Sequence, residues 1–335
     1  GQLYAAIGKL KYLRKLDLDV RYTTNNSEEE ALAKVLPSLT LLEKLSFGTN
    51  KLSNTEHVGQ LHAAIGKLKY LRKLDLGLYN TINDSQGESF AKALPSLELL
   101  GELKLSWNLE SDCEKQVFVA ISKLRYLKKF NYASPCDGYT DVKAFSEMLA
   151  SLRLLEKLVF SGFKFKNESE KKELFIAVGK LKRLKTLHLS GNFKITPTDV
   201  KALARAFPSL RVLEDLKLDY IYDINKCQDE ELLTVVAKLK YLKKLTLDWR
   251  KMTQTNVDTL VRALASLQVL EELTLRVYFY CKHECDDECD DGCDHNCEDE
   301  CDDESDDECD DKYDDECSHD SYDDSCYKCR HDEHK

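Results

Sequence analysis

The pattern L-x-x-L-x-L, with Phe or Tyr allowed for Leu, begins at Leu13, Leu42, Leu71, Leu100, Leu127, Leu155, Leu184, Leu213, Leu242 and Leu270. The copies lie 27 to 29 residues apart, which leaves room for one short strand and one helix in each. Leu16 and Leu18 flank Asp17 with the period of a half-buried strand. Between strands the spacing turns helical. Ser27 and Glu30 write a capping box before Ala31, Leu32, Val35 and Leu36, and Thr198-Asp199 precedes Val200, Leu203, Ala204 and Phe207. A strand and helix this short cannot bury their apolar faces alone, so neighbouring copies must stack. The expectation is an α/β right-handed solenoid of about ten repeats over residues 1–280, with parallel strands on the concave side and helices on the convex side. Leu16, Leu45, Leu74, Leu103, Phe130, Leu158, Leu187, Leu216, Leu245 and Leu273 should form one buried row.

These registered copies resemble leucine-rich repeat proteins, specifically the ribonuclease-inhibitor-like class with strand-helix repeats of this length. The resemblance implies a concave surface used for binding. The Asn that follows the strand in that family stands here only at Asn50, Asn108 and Asn192, with Pro135, Phe163 and Ile221 in its place elsewhere.

The true period is a pair of repeats. The opening GQLYAAIGKLKYLRKLDL returns at Gly59 as GQLHAAIGKLKYLRKLDL, and between them the helix ends differently, as Leu36-Pro37-Ser38-Leu39 rather than Ile7-Gly8-Lys9-Leu10. Gly1 matches a position inside the start of a repeat's helix, so the chain is expected to open mid-repeat. After Leu273 and Leu275 it passes through Val277 and Phe279 directly into charge. Both ends of the solenoid are therefore expected to be open.

Charge divides the 335 residues in two. Residues 1–280 carry 44 basic and 34 acidic side chains, whereas residues 281–335 carry 5 and 26. Cysteine divides likewise, with Cys113, Cys136 and Cys227 in the first part and ten of thirteen in the second. No apolar run is long enough to span a membrane.

On the concave face, the third place of each copy reads Lys15, Lys44, Lys73, Glu102, Lys129 and Lys157 through the first six repeats, a basic stripe suited to an acidic partner. The second place alternates in sign from Arg14 and Glu43 onward, a ladder expected to set stacking order. Nothing catalytic emerges: His188 reads as a surface histidine, and no phosphate loop, zinc-protease or nucleophile-elbow motif occurs. The stripe lacks interleaved aromatics, which argues against nucleic acid. Three N-x-S sequons, at Asn25, Asn83 and Asn167, are candidate glycosylation sites between strand and helix.

The tail sets Cys281, Cys285, Cys289, Cys293, Cys297, Cys301, Cys309 and Cys317 on a four-residue beat, with Ser305, Tyr313 and Ser321 on missing beats and Cys326 and Cys329 beyond. A plain acidic tail needs no such beat. Oxidised, these thiols would form disulfides and leave Asp286, Asp287, Asp290, Asp291, Asp302, Asp303, Asp306, Asp307, Asp310 and Asp311 free for calcium. Reduced, they would suit zinc, helped by His283 and His295. The leading expectation is a non-enzymatic structural protein outside the cell, self-assembling head to tail into a filament or matrix. The alternatives are a monomeric protein-binding module with a metal-buffering tail, located outside the cell or in the cytoplasm, and a GTPase regulator, since repeats followed by an acidic tail are similar in layout to such proteins.

Overall fold

A computed structural model describes residues 2–279 apart from 21–27, 50–54, 110, 135–139, 163–164, 166, 191–196, 222–225 and 253. Ten parallel strands form one sheet whose spatial order is the order of the sequence. They are β1 (Lys15–Asp19), β2 (Lys44–Thr49), β3 (Lys73–Ile82), β4 (Glu102–Leu109), β5 (Lys129–Ala133), β6 (Lys157–Ser161), β7 (Thr186–Ser190), β8 (Asp215–Ile221), β9 (Lys244–Met252) and β10 (Glu272–Phe279). A helix precedes each strand: α1 (Gln2–Ile7), α2 (Glu28–Val35), α3 (Thr55–Ile65), α4 (Asp84–Ala93), α5 (Ser111–Ile121), α6 (Val142–Ser151), α7 (Glu168–Val178), α8 (Pro197–Ala206), α9 (Lys226–Val236) and α10 (Gln254–Ser266).

The register is the one the leucines dictate. Leu16 pairs with Leu45, Leu45 with Leu74, and the row runs through Leu103, Phe130, Leu158, Leu187, Leu216 and Leu245 to Leu273. A slip of one residue would turn every one of these to the opposite face. Nine members are buried. Leu273 is the exception, 43% exposed, because β10 is the last strand of the sheet and among the described residues no further layer covers it.

The two kinds of helix end interlock. Pro37, in a short 3-10 turn after α2, brings no N–H to continue the α-helix, and the turn carries Ser38 over the end of the preceding repeat. There its hydroxyl donates to the Gly8 carbonyl at 2.8 Å. Ser96 donates likewise to Gly66 at 2.6 Å, and Ser209 donates to Gly179. Where the glycine slot holds Ser122 or Ala237, the matching bonds from Ser151 and Ser266 stretch to 3.3 Å. A Cβ in the slot thus holds the two backbones further apart; at Gly66 it would lie 3.1 Å from Ser96 Oγ and 3.2 Å from Ala93 Cβ. This contact is the physical content of the paired repeat.

The helix starts are partly as expected. Ser27 lies outside the described residues, and Glu30 pairs with Lys34 and reaches His57 at 3.7 Å. Helix α8 begins at Pro197, ahead of the expected cap, since proline's fixed φ suits the first helical position. Asp199 is therefore inside the first turn, buried, and receives Lys171 from α7 at 3.3 Å.

Candidate interaction surfaces

The third-place residues stand side by side on the concave face: Lys15 against Lys44, Lys44 against Lys73, Lys73 against Glu102, and on through Lys129 to Lys157. The stripe is less uniformly basic than its lysine count implies. Glu102 sits between Lys73 at 2.7 Å and Lys129 at 3.6 Å. Partial burial pulls the Glu102 carboxyl up, but the bond from Lys73 and the charges of both lysines outweigh this and hold it below the usual range; the same bond raises Lys73. Lys15 and Lys44 are exposed, and Lys157 is half-buried. Toward the other end the face turns mixed: His188 Nε2 lies 2.9 Å from Asp215, Lys217 2.8 Å from Asp219, and Lys244 pairs with Glu272, which raises the lysine. His188 contacts that carboxylate and, among the described residues, no hydroxyl or thiol.

The alternating second place pairs across some of the strand steps, and Gly101 interrupts the alternation. Arg14 bonds Glu43, Lys185 lies 3.9 Å from Glu156, and Lys243 lies 3.3 Å from Glu214. These pairs are largely solvated and contribute little stability each.

Two buried ionisable groups escaped the reading of the sequence. Glu114 of α5 accepts the Tyr132 hydroxyl at 2.7 Å and the Asp141 N–H at 2.6 Å, so it ties α5 to β5 and to the start of α6. Burial pushes its carboxyl up to about 7, against the opposing pull of those two donors. Tyr132, buried in the same place, is raised well above its ordinary value, first by burial and then by Glu114. His62 replaces Tyr4 in the repeated opening phrase. Its Nδ1 lies 2.8 Å from Ser89 Oγ, and that hydroxyl donates to the Gln86 carbonyl, so His62 Nδ1 carries the proton. Burial lowers it to about 4. The one signal in the sequence was the change of Tyr4 to His62 at a core position.

Asn83 and Asn167 both serve as N-caps. Asn83 accepts from the Gln86 N–H at 3.0 Å, with Gln86 reaching back to the Asn83 N–H, and Asn167 accepts from Glu170 at 3.1 Å. A capping Asn with a Ser in the following turn is enough to write these sequons. Asn25 lies outside the described residues, as do every cysteine and aspartate named in the tail. Among the described residues no three His, Cys, Asp or Glu side chains converge as a metal site, and Cys113 is buried in the core.

No protein-family model and no curated protein matches the chain. Solved structures similar to it include internalin C2 from Listeria monocytogenes, 22% identical over 72% of this chain and 83% of that one, with a TM-score of 0.41. The internalin inlF of the same organism is 18% identical over 80% and 82%, TM-score 0.38. The leucine-rich repeat-containing protein LegL7 from Legionella pneumophila is 17% identical over 83% and 88%, TM-score 0.45. Ten copies of L-x-x-L-x-L, each a strand of one sequential parallel sheet backed by helices, give this chain the fold of a leucine-rich repeat solenoid.

Proposed function

We propose that the chain is a non-enzymatic interaction protein that associates with copies of itself end to end. The observation that carries this reading is the last layer of the core. Leu273 and Leu275 are 43% and 36% exposed, whereas Leu245 and Leu247, the residues they pair with on β9, are buried. Among the described residues strand β10 is also the margin of the sheet, and a sheet edge beside exposed leucines templates a further strand. The strand offered in return is β1 at the opposite margin, so one surface meets a different one and the assembly extends rather than closes. The tail is proposed to hold calcium on its aspartate clusters with its cysteines oxidised, or zinc if they are reduced, and the protein is proposed to work outside the cell.

Sedimentation velocity over a concentration series tests the assembly, with Leu273→Arg/Leu275→Arg as the variant. Both residues are partly exposed, and a thermal melt verifies that the variant folds. The intact chain should grow in size with concentration and the variant should not. An intact chain that stays monomeric throughout, or a folded variant that assembles equally, overturns the reading.

The lysine stripe favours a second reading, in which an acidic protein segment lies along Lys15, Lys44, Lys73, Lys129 and Lys157. Charge reversal at Lys15 and Lys44 would weaken that partner while leaving the end-to-end size series unchanged.

A further inference from the structure

Tyr12, Tyr70, Tyr126 and Tyr241 are 88%, 54%, 59% and 63% exposed. Each stands two residues before the second place of its repeat, at Arg14, Arg72, Lys128 and Lys243. An unbroken chain of backbone bonds joins those second places from strand to strand, beginning Glu43 N–H to Arg14, Arg72 to Glu43, Gly101 to Arg72 and Lys128 to Gly101. The four rings therefore lie in one row along the rim where the strands begin. Neighbouring strands are about 4.8 Å apart, so tyrosines two repeats apart recur about every 10 Å. Tyr12, Tyr70 and Tyr126 recur every second repeat, and Tyr241 follows after a gap at the seventh. Single exposed aromatics are ordinary; a row in one register is not.

The same rim is basic. Lys9 and Lys11 flank the first turn, Lys67 and Lys69 the third, and Lys123 and Arg125 the fifth, all exposed. Lys238 and Lys240 precede Tyr241, and in the seventh repeat, which lacks the tyrosine, Arg183 follows Lys182. The one carboxylate in these turns, outside the paired second-place ladder, is Glu98. Lys182, Arg205 and Arg211 converge with Pro208 and Ser209 on a shallow hollow opening on this rim. In the alternate repeats the row is filled by exposed Leu99, Val212 and Val269.

We propose that this rim docks on the surface of an anionic lipid bilayer. Lysine and arginine are drawn to anionic headgroups within a Debye length of the surface. Tyrosine settles at headgroup depth, where its ring is shielded and its hydroxyl stays wet. The aliphatic side chains between them decide against a polynucleotide, which would stack bases on the tyrosines but leave Leu99, Val212 and Val269 facing phosphate and water. No helix among the described residues is long and apolar enough to cross a membrane, so the contact is peripheral. It is separate from both the β10 edge and the concave lysines. The net charge of −11 opposes indiscriminate attraction to an anionic surface, which leaves the placement of the basic residues to do the selecting.

The test is co-sedimentation of the full chain with vesicles of phosphatidylcholine, alone or with a third of the lipid replaced by phosphatidylserine. The rim variant is Lys67→Glu/Lys69→Glu/Tyr70→Ser, and the control is Lys44→Glu/Lys129→Glu on the concave face; all five side chains are exposed, and thermal melts verify that both variants fold. The intact chain should bind the phosphatidylserine vesicles and not the neutral ones. A basic residue at such a surface changes affinity about fivefold, so the rim variant should lose at least about tenfold while the control binds as the intact chain does. The proposal is overturned if the intact chain ignores phosphatidylserine, if the rim variant binds equally, or if only the concave control loses binding. Rim-dependent capture of a single-stranded RNA oligonucleotide without vesicle binding would overturn it in favour of a polynucleotide.

Discussion

Ser96 Oγ donates to the Gly66 carbonyl at 2.6 Å, across the step from one repeat to the next. The same hydroxyl also donates toward Ala93 at 2.7 Å, so a single proton is shared between the turn it belongs to and the turn it covers. Ser96→Ala removes both options and should cost about 1 kcal/mol in denaturant melts. Gly66→Ala should change stability by less than about 1 kcal/mol, since the slot already tolerates Ala237 elsewhere and alanine favours the helical end. Gly162 is the contrasting case: its φ is +75° and a Cβ would fall 1.7 Å from the Ser134 carbonyl oxygen, so Gly162→Ala should destabilise far more than Gly66→Ala.

Leu158 and Leu273 occupy the same place in their repeats but different environments. Leu158→Ala opens a cavity in the middle of the row and should cost about 2 to 5 kcal/mol. Leu273→Ala should cost less than about 1 kcal/mol in dilute solution, because much of that side chain is already in water. Equal losses at the two positions would contradict the register and the open last layer together.

Glu114 and His62 should give stability two opposite slopes with pH. The fold favours protonated Glu114, so its contribution is full below about 4.5 and is lost as pH rises through about 7. It favours neutral His62, whose contribution is full above 6.5 and is lost as pH falls toward about 4. Each is worth on the order of 3 kcal/mol at most. Urea melts across this range should show Glu114→Gln flattening the alkaline-side loss. His62→Tyr, which restores the residue that Tyr4 supplies at the matching place, should flatten the acid-side loss. A variant that keeps the slope of the intact chain would remove that group as its cause.

The tail makes a prediction of its own. Calorimetry should show heat on adding calcium, and alkylation without reductant should leave most of its ten cysteines unmodified. Absence of heat together with ten alkylated thiols would remove both parts.

The strands could be read from the sequence because alternation around Leu16, Leu45 and Leu74 is a local property of each copy. Leu273 could not be told from them, since burial depends on a neighbour that the local pattern does not mention. The paired period was visible as text in Gly8 and Pro37-Ser38, but its cause is a close approach between residues some thirty positions apart. No local pattern in the sequence marks Glu114; only the fold brings Tyr132 and the Asp141 N–H onto it. The third-place lysines follow one another in register from strand to strand, yet their pairing through Glu102 depends on side-chain reach rather than order. Tyr12 stands in the opening phrase and Tyr70 in its copy, but an aromatic beside leucines reads as core until the turn that carries it is seen to face outward.

Because the ten strands pair strictly in sequence order, each strand meets only the strands just before and just after it in the chain. The segment that must close before two strands meet has nearly the same length at every step, so its entropic cost does not grow as repeats are added. Folding can therefore begin at any well-packed pair of repeats and spread by accretion in both directions. The time to add a repeat is set by its nearest neighbour and not by the length of the whole array, and a duplicated phrase such as the one at Gly59 finds its seat from the layer already formed beside it.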